Sequence, residues 1–79
     1  MIHDYTSEQV WEAIEILFPN SIEKLVEQCN REFYWDYHKD INDIIETLSD
    51  YAFITEVEAL FGLADIKTIE DWLKTEYNS

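Results

Sequence analysis

Carboxylates are the groups with the most chemistry to offer in this chain. Glu8, Glu12 and Glu15 recur at spacings of four and three, and Asp43, Glu46 and Asp50 at three and four. On a helix each triplet occupies one face and spreads its charge over about 10.5 Å, at 1.5 Å of rise per residue. Phosphates along one DNA strand advance by about 3.4 Å each. Two such stripes on neighbouring helices would present carboxylates at phosphate-like intervals. The same spacing also describes an ordinary solvated helix face. Counter-charge separates the two readings, because solvated faces mix signs and gain from the pairs. Residues 6–18 and 41–61 hold no lysine or arginine. The chain tolerates a self-repulsion that lowers its stability, which points to a charge that is used.

The stretch Phe33-Tyr34-Trp35-Asp36-Tyr37-His38 is rich in the aromatic types that dominate interface hot spots. Phe33 and Trp35 are expected to fill core. Tyr34 and Tyr37, with the carboxylate of Asp36 between them, are the candidates for partner contact. Trp11 and Trp72 are expected in the core or at its edge. Asp36, His38, Asp40 and Asn42 alternate as in a calcium loop, but Ile41 stands where that loop needs glycine and Thr47 where it needs glutamate. No metal site is expected. His3 and His38 have no serine or cysteine at a catalytic spacing, and Cys29 falls on an apolar stripe, where thiols are inert. General acid–base work needs one buried carboxyl with a raised pKa, and most carboxylates here fall on polar faces. The chain reads as no enzyme, with no catalytic residue and no cofactor.

Bulk composition bounds the remaining choices. The 79 residues (9.5 kDa) carry 5 basic and 18 acidic side chains, a formal charge of −13, yet 47% are hydrophobic and 15% aromatic. A disordered acidic tail would have little of either. One domain, residues 1–79, is expected, too short for a doubly wound nucleotide-binding fold or a barrel. Direct nucleic-acid binding is excluded by the sign of the charge, and an anionic membrane surface would repel the chain. A single cysteine makes no intrachain disulfide. Residues 1–6 have neither the basic region nor the apolar run of a signal peptide, and apolar runs such as Ile16-Leu17-Phe18 are far short of a span. A cytoplasmic protein is expected.

One glycine and one proline argue against the tight turns of an all-β domain. The fold class expected is all-α, a compact bundle of four or five short helices. Thr6-Ser7-Glu8-Gln9 forms a capping box opening the first helix, with Val10, Ala13, Ile14 and Leu17 inward and Phe18-Pro19-Asn20 as its stop. The second is opened by Asn20 and Glu23, with Ile22, Leu25, Val26, Cys29 and Phe33 on its apolar face, and bends over residues 33–38. Asp40 caps a third carrying Ile41, Ile44, Ile45 and Leu48, which continues or kinks near Ser49-Asp50. A fourth covers residues 53–61 and is stopped by Gly62. A fifth starts at Thr68, with Asp71 three residues on, and turns Ile69, Trp72, Leu73 and Tyr77 inward. The expected core comprises Ile14, Leu17, Leu25, Ile44, Ile45, Leu48, Leu60 and Leu73.

Three resemblances bear on function. In size, charge and helical character the chain resembles phage-encoded acidic inhibitors that imitate DNA, including anti-restriction and anti-CRISPR proteins. That implies a basic nucleic-acid-binding effector or nuclease as partner. The opening Asp4-Tyr5-Thr6 and the helical acidity are similar to colicin-type immunity proteins, small four-helix inhibitors that present carboxylates to a basic nuclease. The segments from Glu46-Thr47-Leu48 to Leu60-Phe61-Gly62-Leu63, and from Ile66 to Trp72, are similar to the second and last helices of carrier proteins. Thr47, preceded by Glu46, stands where that family attaches phosphopantetheine to serine.

The function expected is that of an acidic inhibitor, blocking a basic nucleic-acid-binding surface of a target protein by electrostatic and steric competition. Glu8, Glu12, Glu15, Tyr34, Asp36, Tyr37, Asp43, Glu46 and Asp50 are its expected partner contacts. The alternatives are an immunity protein or antitoxin neutralising a basic toxin, and an adaptor bundle whose charge serves solubility. Reversing Asp43, Glu46 and Asp50 to lysine is expected to slow association and leave the fold intact.

Overall fold

A computed structural model describes residues 1–77. Five helices follow a short 3-10 turn at Ile2–Asp4: α1 Ser7–Leu17, α2 Ile22–Glu32, α3 Ile41–Thr47, α4 Asp50–Leu60 and α5 Leu63–Tyr77. A second 3-10 turn, Pro19–Ser21, joins α1 to α2. The chain is an all-α bundle, with no strand among the described residues. None of its helices is long and apolar enough to cross a membrane among those residues. The bundle is elongated, 41 × 20 × 17 Å.

Local signals explain most boundaries. The Thr6 hydroxyl accepts the Gln9 N–H and the Gln9 side chain accepts the Thr6 N–H, the reciprocal box that satisfies two orphan donors. Asp40 accepts from the Asp43 N–H and so starts α3, and Ser49 accepts from the Ala52 N–H and starts α4. The chain breaks between α3 and α4 because Leu48 is extended, at φ −88° and ψ 151°.

Several boundaries differ from the sequence reading. Asn20 lies inside the 3-10 turn that Pro19 opens, and α2 starts without a side-chain cap. Helix α2 ends at Glu32, and residues 33–38 form turns and a loop. Tyr34 there adopts φ 50°, the left-handed position just beyond a helix end that glycine normally takes. Gly62 does not stop α4 with a positive φ. Its carbonyl accepts the Ile66 N–H and so opens α5, five residues ahead of Thr68. The Thr68 hydroxyl donates to the Ala64 carbonyl, as threonines inside helices do.

Helix α4 is the hub, packing against α1, α2, α3 and the N-terminal turn, while α5 packs on α1 and on that turn. Its Phe53, Ile54 and Val57 meet Val10, Ala13 and Ile14 of α1, Leu25 and Cys29 of α2, Ile44 of α3, and Ile69 and Leu73 of α5 in one buried cluster. Each buried valine, leucine, isoleucine or phenylalanine among them contributes about 1.5–3 kcal/mol by leaving water. Of the expected core, Ile14, Leu25, Ile44 and Leu73 are fully buried, whereas Leu17, Ile45, Leu48 and Leu60 lie half-buried around them. Ile2 and Tyr5, from the N-terminal segment, join the core unannounced by any periodicity. Asn30 is buried yet satisfied. Its amide donates to the Val26 and Lys39 carbonyls, and its oxygen accepts the Lys39 N–H at 2.9 Å, which pins the loop to α2.

Candidate functional site

The carboxylate stripes are solvent-facing. Glu8, Glu12 and Glu15 are exposed along α1, and Asp43 and Glu46 along α3. The placement of the two stripes on neighbouring helices is corrected by the packing. α1 packs on α4 and α5, α3 packs on α2 and α4, and α4 stands between them. No basic residue lies on α1, α3 or α4, so the last turns of these three helices carry no cation to oppose the helix dipole. All five cations belong elsewhere: Lys24 and Arg31 on α2, Lys39 in the loop, Lys67 and Lys74 on α5. Among the described residues, ion pairs engage Asp4 with the N-terminus, Glu27 with Arg31, Glu70 with Lys74, and Glu58 with His3 when that ring is protonated. The first two are exposed and the third half-exposed, and all three lend little stability. The N-terminal ammonium holds the Asp4 carboxyl below the usual range, and the Lys74 ammonium does the same for Glu70.

Two stripe residues also serve the fold. The Asp50 carboxylate, at the start of α4, accepts the backbone N–H of Ser7 at 2.9 Å and its hydroxyl at 2.7 Å. Ser7 is the first residue of α1 and is buried, so Asp50 caps a second helix across the bundle. These bonds hold the Asp50 carboxyl below its ordinary pKa. Reversing Asp50 therefore removes a structural tie, which corrects the expectation that the triple reversal leaves the fold intact. Glu12 accepts the Tyr77 hydroxyl and links α1 to the end of α5, which raises the Tyr77 pKa.

The aromatic loop divides into exposed and half-buried rings. Tyr34 and Tyr37 are 87% and 67% exposed, and Asp36 is exposed beside them. Trp35 packs against the core edge. Phe33 is half-buried and stacks on Trp35 at 5.5 Å, so its expected place on the α2 core face is corrected. The Lys39 ammonium sits 4.5 Å from the Trp35 ring centroid and 6.0 Å from that of Tyr37, a cation–π clamp that orders the loop. Trp11 and Trp72 are half-buried at the core edge.

Tyr51 has no counterpart in the sequence reading. It is 72% exposed on α4 and lies 5.1 Å from the His3 ring, which is held in turn by Glu58 at 2.5 Å. The signal available was the polar spacing of Tyr51, Thr55 and Glu58, opposite Phe53, Ile54 and Val57.

Among the described residues no three His, Cys, Asp or Glu side chains converge on a point that could hold a metal ion. Burial, with the charge of Glu56 adding to it, pushes the Cys29 thiol up to about 12. The segment similar to a carrier helix is divided by the break at Leu48–Ser49, and the Thr47 hydroxyl is engaged by the Lys39 ammonium at 3.1 Å. Comparison with protein-family models, with curated proteins and with solved structures finds no match.

Proposed function

We propose that this chain is an inhibitor that works by binding alone, occupying a basic nucleic-acid-binding surface of a target protein. One observation carries the reading: three helices, α1, α3 and α4, expose carboxylates with no lysine or arginine among them. Stability would favour mixing signs there, so a uniform negative field points to a positive partner. The 41 Å long axis corresponds to about twelve phosphate steps of 3.4 Å. Glu8, Glu12, Glu15, Asp43 and Glu46 supply the field, and Asp50 adds to it while holding α1. Tyr34 and Tyr37, flanking Asp36, supply apolar anchors that a charge pattern alone lacks. Restriction enzymes and CRISPR effector complexes have the surface that this arrangement fits, as do basic toxins.

The test is capture from a bacterial lysate on immobilised protein, at low and at physiological salt. The wild type is compared with an E15K/E46K variant. Glu15 and Glu46 lie in the last turns of α1 and α3, where a cation complements the dipole, so the variant folds. Association with the captured partner is expected to slow by roughly an order of magnitude. It should also weaken steeply with salt, since the Debye length is about 8 Å at physiological strength. Competition by duplex DNA assigns the nucleic-acid-blocking role. A partner that DNA does not displace assigns the antitoxin reading, and unchanged capture by the variant leaves the adaptor reading.

A further inference from the structure

A groove of about 420 Å³ runs along α2, against the end of the α2–α3 loop and the start of α3. Its apolar lining is Ile22, Val26 and Ile41. Glu23 and Glu27 of α2, and His38 and Asp40 from the end of the loop, also line it. Residues 22, 26 and 30 follow one another by single helical turns, so the groove is about 12 Å long. Asn30 contributes no open donor, because its amide group is committed to Val26 and Lys39. A small-molecule pocket depends on a few convergent polar groups to orient its ligand, and the apolar lining offers none.

We propose that this groove receives a short amphipathic helix from a basic protein. Apolar side chains at i, i+4 and i+7 lie over Ile22, Val26 and Ile41, and flanking lysines or arginines meet Glu23, Glu27 and Asp40. Charge complementarity selects the occupant: every formally charged group lining the groove at neutral pH is a carboxylate. An incoming helix spaces those three side chains over about 10.5 Å, which matches the groove. Among the described residues, Glu27 is held only by an exposed pair with Arg31 at 3.3 Å, which an incoming guanidinium replaces at little cost. Asp40 spends one oxygen capping α3 and keeps the other for the partner. The assignment rests on the proposed basic partner and adds to it a second recognition element, apolar and shape-specific.

The experiment is a methyl and amide NMR titration of the full chain with three 14-residue peptides. The first has leucine at positions 4, 8 and 11 and lysine on either side. The second replaces the leucines by serine at equal charge, and the third keeps the leucines and replaces lysine by glutamine. The leucine–lysine peptide is expected to shift the Ile22, Val26 and Ile41 methyls and to bind at least roughly tenfold tighter than the serine peptide, the factor that burying one leucine supplies. An E23Q/E27Q variant should weaken it without altering the circular dichroism. Equal binding of the serine peptide, with shifts spread along α1 and α3, overturns the groove and leaves the acidic-face reading standing. Equal binding of the uncharged leucine peptide overturns the basic occupant, and silence with all three peptides overturns the groove altogether. Groove methyls that shift with protein concentration alone would assign it to a second copy of the chain, and saturation by indole would assign it to a small molecule. Either result overturns the proposal.

Discussion

Replacing Asp50 by asparagine isolates the tie between α4 and α1. Ser7 is only 3% exposed, and both of its donors reach the same Asp50 oxygen. Hydrogen bonds to a charged acceptor contribute about 1.5–3 kcal/mol each, but this carboxylate faces solvent, which screens the charge and cuts that figure. The asparagine oxygen still accepts from Ser7, so D50N loses the charge assistance and the favourable end of the α4 dipole, about 1 kcal/mol together. D50A leaves the buried donors of Ser7 unmet and should cost about 2–3 kcal/mol. In a domain of this size 1 kcal/mol moves the melting temperature by about 4–8 °C. D43N is the control, since Asp43 lies in the first turn of α3 with no tertiary bond from its side chain among the described residues. The assay is urea unfolding from pH 7 down to pH 3. The folded pKa of Asp50 is depressed, so its contribution is complete above the unfolded value of about 3.9. It is lost as pH falls through the folded pKa. Wild type and D50N share the relief of repulsion on acidification, so their difference should stay flat from pH 7 to 5 and shrink below 4. A D50N variant as stable as wild type, or a gap that widens as pH falls, would refute the reasoning.

Three further outcomes follow from packing and caps. Cys29 is buried, with its thiol pushed up to about 12, so it should resist maleimide in the native protein and react at the rate of unfolding. F53A empties the largest buried site at the hub of the bundle and should cost about 3–5 kcal/mol. L60A, at a half-buried position, should cost visibly less in the same denaturation series. Gly62 opens α5 with no positive φ, and nothing lies within 4 Å of where a Cβ would stand. G62S should therefore raise the melting temperature, adding a few tenths of a kcal/mol from the cap.

Short-range signals were legible in the residues and long-range ones were not. The Thr6–Gln9 box and the Asp40 cap act within four residues, and both form. Ser49 was open to either reading, because only the extended backbone of Leu48 decides that α3 and α4 are separate. Thr68 and Gly62 show a different failure. Each residue type has two helix roles, and the choice depended on where Leu63, 91% exposed, would sit. The pairs Ser7–Asp50, Glu12–Tyr77 and His3–Glu58 span 43, 65 and 55 residues. No periodicity encodes such a contact, so Asp50 looked like one more surface carboxylate. The α2 groove was hidden for the same reason, since Ile22 and Val26 read as ordinary core residues until the loop left them half-covered.

Tyr34 closes α2 in a backbone conformation that disfavours any side chain with a Cβ by roughly 1–2 kcal/mol, and glycine would be free of that penalty. Its ring recovers none of this by burial, being almost wholly in solvent. The native sequence therefore sits below a stability one substitution away. Under the proposed inhibitor role, glycine at position 34 would trade adhesion for robustness: a chain that survives heat better and grips the proposed partner less. If Tyr34 is the anchor proposed above, the strained tyrosine makes the loop a place where tolerance to mutation and quality of recognition pull in opposite directions.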